Sequence, residues 1–410
     1  MSTRNFGRGS RLGRSPRRRL AASSGRPSFG GKRPLARRGG FRDQYIDCSR
    51  FVCKAKPQTE SKPYQPQHAF ADFAIDQRLK ENIVTKGYVT PTPIQDQTIP
   101  AILEGCDVVG VANTGTGKTA AFLLPLLHKV ILDNRENILI IVPTHELADQ
   151  INQELIAFRG RLRIFSVCCV GGASIGRQIS DLRRGYNFVI GTPGRLKDLI
   201  ERGLIRPERF STLVLDEADR MLDMGFVNDM RFIMSLMPVT RQTLFFSATV
   251  SREIDKLVKE FLTSPVTISV KTGDTAKNVD QDIIKISHEH EKISVLHNLL
   301  AKPEFTKVLV FGRTKFGVER LSVGLIQKGF KADAIHGNKN QSKRQAALRL
   351  FKENKTKILV ATDVAARGLD IPNVSHVINY DVPATYDDYV HRIGRTGRGD
   401  QMGKALTFVC

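Results

Sequence analysis

The sequence predicts an α/β protein: two tandem parallel-sheet domains with an interdomain cleft, preceded by a disordered basic N-terminal tail. Three observations predict it. At 410 residues the chain exceeds what one ordinary core holds, so two domains and a tail are the expected division. Short β-branched runs alternate with amphipathic stretches in two successive series, as parallel strands do with helices on both sheet faces. Charge is segregated: residues 1–62 hold 13 Arg and 4 Lys against 3 acidic residues, within a chain of net charge +22.

The first forty or so residues are Arg, Gly, Ser and Pro with isolated Phe6, Phe29 and Phe41. Such a composition buries too little apolar surface to offset its ordering entropy, and disorder is expected. Arg-Gly clusters with interleaved aromatics suit nucleic acid, through phosphate attraction and base stacking. A solubilising tail or an organellar transit peptide are the alternatives, the second disfavoured by the frequent Gly and Pro. Residues 43–66 read as a linker in which 45–52 carries a docking-like apolar pattern. Strand candidates follow at 107–112, 138–143, 164–170, 188–192, 212–216, 243–247 and 266–270. The polar stretch 271–278 reads as a connector. A second series lies at 282–287, 307–312, 331–335, 357–362, 376–380 and 404–409. Ligands in such sheets sit at the carboxyl ends of the strands.

Composition narrows the class. No apolar run approaches the ~20 residues of a membrane span, so a soluble protein with no membrane partner is expected. Six cysteines, at 48, 53, 106, 168, 169 and 410, have neither metal-ligand spacing nor disulfide-framework density, which predicts a reduced, cytoplasmic setting.

Two segments carry chemistry. Ala112, Asn113, Thr114, Gly115, Thr116, Gly117, Lys118 and Thr119 form a phosphate-loop sequence, with Ala112 where the strict pattern has Gly. Its turn would present backbone N–H groups to phosphates, Lys118 a point charge, and Thr119 a hydroxyl to Mg²⁺. About a hundred residues later, Val-Leu-Asp-Glu-Ala-Asp at 214–219 is an apolar strand ending in carboxylates. Asp216 can hold the same Mg²⁺, and Glu217 can activate a water against the γ-phosphate. Together they predict a metal–triphosphate site.

A dozen motifs occur in one family's order, and over roughly residues 68–410 the chain resembles a DEAD-box RNA helicase of superfamily 2. The resemblance implies two recombinase-like domains, with ATP and Mg²⁺ as cofactors. It divides the chain into a tail and linker (1–66), a glutamine motif (68–96), an ATP-binding domain (99–270), a linker (271–280) and a C-terminal helicase domain (281–410). The stretch 87–95 resembles the glutamine motif, with Phe70 seventeen residues before Gly87. Gln95 is thereby implied to read adenine and Phe70 to stack on it, an amide being able to donate and accept at once. Ser-Ala-Thr at 247–249 resembles the coupling motif, in which the hydroxyls of Ser247 and Thr249 are implied to bond the Asp219 carboxylate. The stretch 391–398 implies Arg395 and Arg398 as arginine fingers and pairs His391 with the acidic motif. The stretch 361–370 implies nucleotide contacts from Gly368 and Asp370 and a nucleic-acid contact from Thr362.

Further nucleic-acid contacts are implied for Pro143, Thr144, Gly172, Thr192, Pro193, Arg195, Thr314, Gly337, Gln341 and Arg344. These contacts go to sugar and phosphate and carry no sequence information. His145 departs from the family's usual Arg. The ending at Cys410, just after a strand, departs too and suggests a fragment or a minimal core. The expectation is a monomeric ATP-dependent RNA helicase acting on single-stranded or duplex RNA, with ribonucleoprotein complexes as further partners. An ATP-gated RNA clamp or annealing chaperone would show the same motifs; a DNA helicase is the second alternative, for which the sequence shows no added zinc or DNA-reading module.

Overall fold

The computed structural model describes residues 47–54, 64–113, 115–249, 251–270, 278–366, 371–397 and 402–409. The expected tail before residue 47 and the connector 271–277 lie outside the described residues, as do Thr114, Gly368, Asp370 and Arg398.

The first lobe opens with α1 (Gln77–Thr85) and α2 (Pro93–Leu103), then alternates strands and helices. These are β1 (Val108–Val111), α3 (Lys118–Leu132), β2 (Ile138–Ile141), α4 (His145–Arg159), β3 (Ser166–Cys169), α5 (Ile175–Arg183) and β4 (Phe188–Gly191). There follow α6 (Pro193–Glu201), β5 (Thr212–Leu215), α7 (Ala218–Asp223), α8 (Val227–Ser235), β6 (Gln242–Ser247), α9 (Arg252–Phe261) and β7 (Val266–Ser269). The strands form a seven-stranded sheet in the order β3-β4-β2-β5-β6-β1-β7, and every pairing is parallel. Runs such as Ile138–Ile141 and Thr212–Leu215 are buried throughout, because helices cover both faces. One apolar cluster gathers α1 to α4 on one face, and a second gathers α6 to α9 on the other.

The second lobe contains β8 (Val279–Lys285), α10 (Lys292–Leu300), β9 (Val308–Phe311), α11 (Lys315–Gln327), β10 (Ala332–Ile335) and α12 (Gln341–Lys352). It continues with β11 (Ile358–Ala361), α13 (Asp363–Ala366), β12 (His376–Asn379), α14 (Tyr386–Ile393) and β13 (Gly403–Val409). Its six strands, also parallel, run β10-β11-β9-β12-β13-β8, again between two apolar clusters. Among the described residues no helix is long and apolar enough to cross a membrane.

Strand order decides where chemistry can gather. In the first sheet β5, β6 and β1 are adjacent, and so are β3, β4 and β2. The carboxyl ends of the first trio lead into the acidic pair, the Ser-Ala-Thr turn and the phosphate loop. Those of the second trio lead into Gly171–Gly172, Thr192–Pro193 and Pro143–Thr144. The second sheet has the same division: β10, β11 and β9 are adjacent and lead into His336–Gly337, Thr362 and Thr314.

Candidate functional site

The phosphate loop turns out of β1 on two left-handed glycines, Gly115 at φ 80° and Gly117 at φ 90°, a conformation glycine adopts at little cost. Among the described residues only Glu217, Ser264, Asn354 and Asn373 have positive φ without being glycine. Ala112 is not among them, so the position where the strict pattern has Gly tolerates a side chain. The loop is braced from α2: Thr92 Oγ1 donates to the Thr116 carbonyl at 2.8 Å and Gln95 Nε2 to the Gly117 carbonyl at 3.1 Å. Thr116 Oγ1 donates to the Asn113 carbonyl at 2.8 Å. Gln95 Oε1 meanwhile accepts from Thr92 N–H at 2.9 Å. The amide implied to read adenine thus uses both ends on the protein here. Phe70 is buried, edge-on to Phe73 and Tyr88 with ring centroids 6.0 and 5.9 Å away.

Lys118 is buried and donates to the Ala112 carbonyl at 3.0 Å, arching over its own loop. Thr119 follows it in the first turn of α3. Asp216, at the end of β5, is 2 % exposed; burial pushes its carboxyl up to about 6, against the opposing pull of Lys118. Burial penalises the lone charge on Asp216, a cost that a divalent cation would offset, while the Lys118 ammonium suits a phosphate. Among the described residues no group of three or more His, Cys, Asp or Glu could hold one unaided. The donor set therefore fits Mg²⁺ with phosphate oxygens completing its shell.

Glu217 adopts φ 52°, ψ 49°, a strained conformation for a side-chain-bearing residue. Its Oε2 accepts from Arg220 Nη1 at 2.9 Å, and Arg220 Nη2 donates to the Val364 carbonyl of the second lobe at 3.0 Å. Asp219 Oδ2 accepts from Thr249 Oγ1 at 3.0 Å and from the N–H groups of Thr249 and Ala248 at 2.9 and 3.1 Å. This corrects one expectation. Ser247 Oγ does not bond Asp219; it donates to the Thr249 carbonyl at 2.7 Å, because the turn places two main-chain N–H groups where the second hydroxyl was expected.

In the second lobe Arg392 is fully buried, forked onto Asp363 at 2.5 and 2.8 Å, and donates to the Asp381 carbonyl at 2.6 Å. It anchors α14, which carries His391 and runs on into the buried Arg395.

The implied nucleic-acid residues occupy helix starts. Thr144, Thr192 and Thr314 are the N-cap residues of α4, α6 and α11, which begin at the carboxyl ends of β2, β4 and β9. Pro193 is the first residue of α6, Gly172 turns at φ 77°, and Thr362 lies between β11 and α13. Thr314 Oγ1 accepts from Gly317 N–H at 3.0 Å. Helix N-termini present unpaired N–H groups and a positive dipole end, the arrangement that receives phosphate. Arg195 Nη1 is held by Gln178 Oε1 at 2.9 Å. A Cβ on Gly337 would lie 3.3 Å from Lys315 Cε, so this turn sits close beneath a lysine.

Arg344 reaches the first lobe, and Gln341 begins the same helix. Arg344 Nη2 lies 2.5 Å from Glu146 Oε1, and Gln341 Nε2 is buried with no hydrogen-bond partner among the described residues. Next to them His145 Nε2 lies 3.4 Å from Asp149 Oδ2, and Asp149 accepts from Gln345 of α12. His145 thus braces Asp149, which reaches the other lobe.

The family model for DEAD/DEAH box helicases matches residues 92–257, and that for the helicase conserved C-terminal domain matches 291–400. The ATP-dependent RNA helicase CshA of Limosilactobacillus reuteri is 46% identical over 342 residues, spanning 83% of this chain and 69% of that protein. This chain belongs to the DEAD/DEAH box helicase family. The CshA of Listeria monocytogenes is 47% identical over 346 residues, spanning 83% of this chain and 66% of that one. Among solved structures, S. cerevisiae Dbp5 bound to RNA and ADP BeF3 is similar at TM-score 0.73 and 28% identity, covering 83% of this chain and 89% of that one. Mss116p bound to single-stranded RNA and AMP-PNP is similar at TM-score 0.74 and 30% identity, covering 82% and 73%.

Two residues of this helicase escaped the sequence reading. Arg220 looks like an ordinary helix-surface arginine, and only its spacing of three from Glu217 marks it as a possible partner. Glu146, next to His145, was not singled out.

Proposed function

We propose that this chain is an RNA-dependent ATPase and RNA helicase that hydrolyses ATP when RNA is bound and separates short duplexes or remodels RNA–protein complexes. The observation that carries this reading is the Glu217–Arg220–Val364 link. The carboxylate proposed to activate water is tied, through one buried arginine, to the second lobe two residues beyond Thr362. A change in how the lobes sit is thereby felt at Glu217. The structures of Dbp5 and Mss116p, similar to this chain, hold RNA together with nucleotide analogues, which supports one closed arrangement serving both ligands.

In this mechanism the loop N–H groups and Lys118 hold the triphosphate, for which Lys118 leaves the Ala112 carbonyl. Thr119 and Asp216 would hold Mg²⁺, which would supply positive charge against that developing on transfer. Glu217 orients the attacking water and takes its proton. Arg395 and Arg398, arriving from the second lobe, stabilise the transferring phosphoryl group. Phe70 and Gln95 bound the adenine side of the pocket, Gln95 changing partners when base enters. Gly368 and Asp370 complete the nucleotide contacts, and Asp219, Thr249 and His391 relay nucleotide state to the lobe interface. RNA lies along the helix starts at Thr144, Thr192 and Thr314, with Gly172, Pro193, Arg195, Gly337 and Thr362 beside the backbone. Separation of a duplex then follows from bending one strand across both lobes.

The test is ATPase activity with and without RNA, alongside unwinding of short duplexes. ATPase should be low alone and rise several-fold with RNA. Arg395→Ala should abolish the rise while RNA affinity without nucleotide is unchanged. An RNA-independent ATPase at full rate would refute the mechanism. Stimulation without unwinding would leave an ATP-gated clamp. Equal stimulation by DNA would refute the RNA assignment.

A further inference from the structure

Residues 47–54 precede the first lobe in sequence but pack on the second. Asp47 caps a single 3-10 turn over Cys48–Phe51, its carboxylate accepting from Ser49 N–H at 3.0 Å. The chain then meets the free edge of β8. Cys53 N–H donates to the Gln281 carbonyl at 3.1 Å, and Gln281 N–H donates to the Cys53 carbonyl at 2.8 Å, an antiparallel bridge that covers an open strand edge. Phe51 is fully buried in the second-lobe core, 4.7 Å between ring centroids from Tyr389 of α14. The Arg50 guanidinium lies 3.6 Å above the Tyr386 ring of the same helix. Tyr389 Oη donates to Gln281 Oε1 at 2.9 Å, which joins helix, strand edge and the 47–54 segment into one unit.

These contacts bear on α14 specifically. It has eight residues, too short to be stable without tertiary packing. Its carboxyl half is anchored by the Arg392–Asp363 fork. Its amino half presents Tyr386 and Tyr389 to Arg50 and Phe51. Arg395 follows directly from this helix, so the helix's seating sets where that guanidinium lies. Strand β8 pairs along its whole length with β13 on one side, and Gln281 on its other edge meets the 47–54 segment.

We propose that residues 47–54 form a strap that positions α14, and through it Arg395, for ATP hydrolysis, with Phe51 as its principal positioning residue. The inference rests on the hydrolytic reading of Arg395 given above. The strap belongs functionally to the second lobe, although the chain reaches it before the first lobe begins. After Lys54 the chain passes to Tyr64, whose Oη donates to Asp96 of α2 at 2.5 Å, so one short stretch serves both lobes.

The test uses the full chain carrying Phe51→Ala, assayed for ATPase at saturating RNA in reducing buffer. A positioning role predicts a kcat lower on the order of tenfold, with KM for ATP and nucleotide-free RNA affinity within about twofold. Phe51→Leu, which refills most of the volume, should retain most of kcat. A synthetic peptide of residues 47–54, added in trans at millimolar concentration, should restore kcat to Phe51→Ala, and the same peptide with Ala at position 51 should not. Unchanged kcat in Phe51→Ala overturns the proposal. So does a loss that the peptide cannot restore and that comes with a raised KM, since that describes general damage. Amide hydrogen exchange separates this inference from the proposed function. Faster exchange in α14 of Phe51→Ala supports the strap even if the wild-type chain shows no RNA-stimulated ATPase, and unaltered exchange there refutes it.

Discussion

Glu217 is held by a backbone that few side chains adopt and by an arginine that spans two lobes. Replacing it by Gln keeps the shape and the Arg220 contact but removes the base. Glu217→Gln should bind ATP with near wild-type affinity and lose at least ~10²-fold in turnover at saturating RNA. Equilibrium binding of a fluorescent nucleotide together with single-turnover hydrolysis checks both halves; near wild-type turnover would remove Glu217 from the base role. At this scale the sequence was legible wherever chemistry forces residue type and spacing at once. Lys118 and Asp216 are 98 positions apart, yet strand order brings β1 and β5 to either side of β6, as the two segments must lie if they share one site. Arg220 and the Ser247 hydroxyl were not legible. A partner choice between a hydroxyl and a main-chain N–H depends on turn geometry, which residue types alone do not specify.

At the scale of elements, the thirteen strand expectations all fall on strands, and the one shifted in position is instructive. The segment 282–287 was expected from Ile283, Ile284 and Ile286, but β8 runs Val279–Lys285. Asp280, Gln281 and Asp282 hid its beginning, because a buried Gln reads as solvent-facing until Tyr389 is known to donate to it. The same blindness covers His376 in β12. It is 4 % exposed, its ring stacks on Phe305 at 4.0 Å, and burial above all, with Lys404 second, lowers its affinity for a proton to a pKa of about 4. An unfolded histidine titrates near 6.5. Between these values the unfolded chain binds more protons, so the stabilisation is complete above about 6.5 and is lost as pH falls toward 4. The loss is on the order of 3 kcal/mol when complete. Thermal melts at pH 7, 6, 5 and 4.5 should show a steeper fall for wild type than for His376→Gln, and parallel curves would contradict this.

At the scale of the whole molecule, the described residues join the lobes through side-chain contacts. Arg344, expected at the nucleic acid, lies against Glu146 of the first lobe, both largely buried. Removing one partner strands a buried charge, so Glu146→Gln and Arg344→Met should each reduce RNA stimulation of the ATPase. The exchange Glu146→Arg with Arg344→Glu should recover part of it if the pair acts between lobes. No recovery would return Arg344 to direct RNA contact. The basic N-terminal sequence calls for a prediction at the same scale. Residues 1–46 contain 12 Arg and 1 Lys against 1 acidic residue, and every residue assigned to hydrolysis or to the strap lies beyond them. Each phosphate neutralised on a single strand contributes roughly −0.7 to the log–log salt slope of binding. If the arm engages four or five phosphates, deleting 1–46 should flatten that slope by about 3. RNA affinity should then fall sharply at low salt and little at high salt, while ATPase at saturating RNA persists. Unwinding of long substrates should drop, because the arm no longer keeps the core near its RNA. Where the deletion ends is part of the prediction. Extending it through Lys54 removes Phe51 and should depress ATPase even at saturating RNA, so a titration of both deletions against salt separates attraction from positioning. An unchanged slope after removing 1–46 would demote the arm to a solubility device. Equal ATPase in the two deletions would refute the strap.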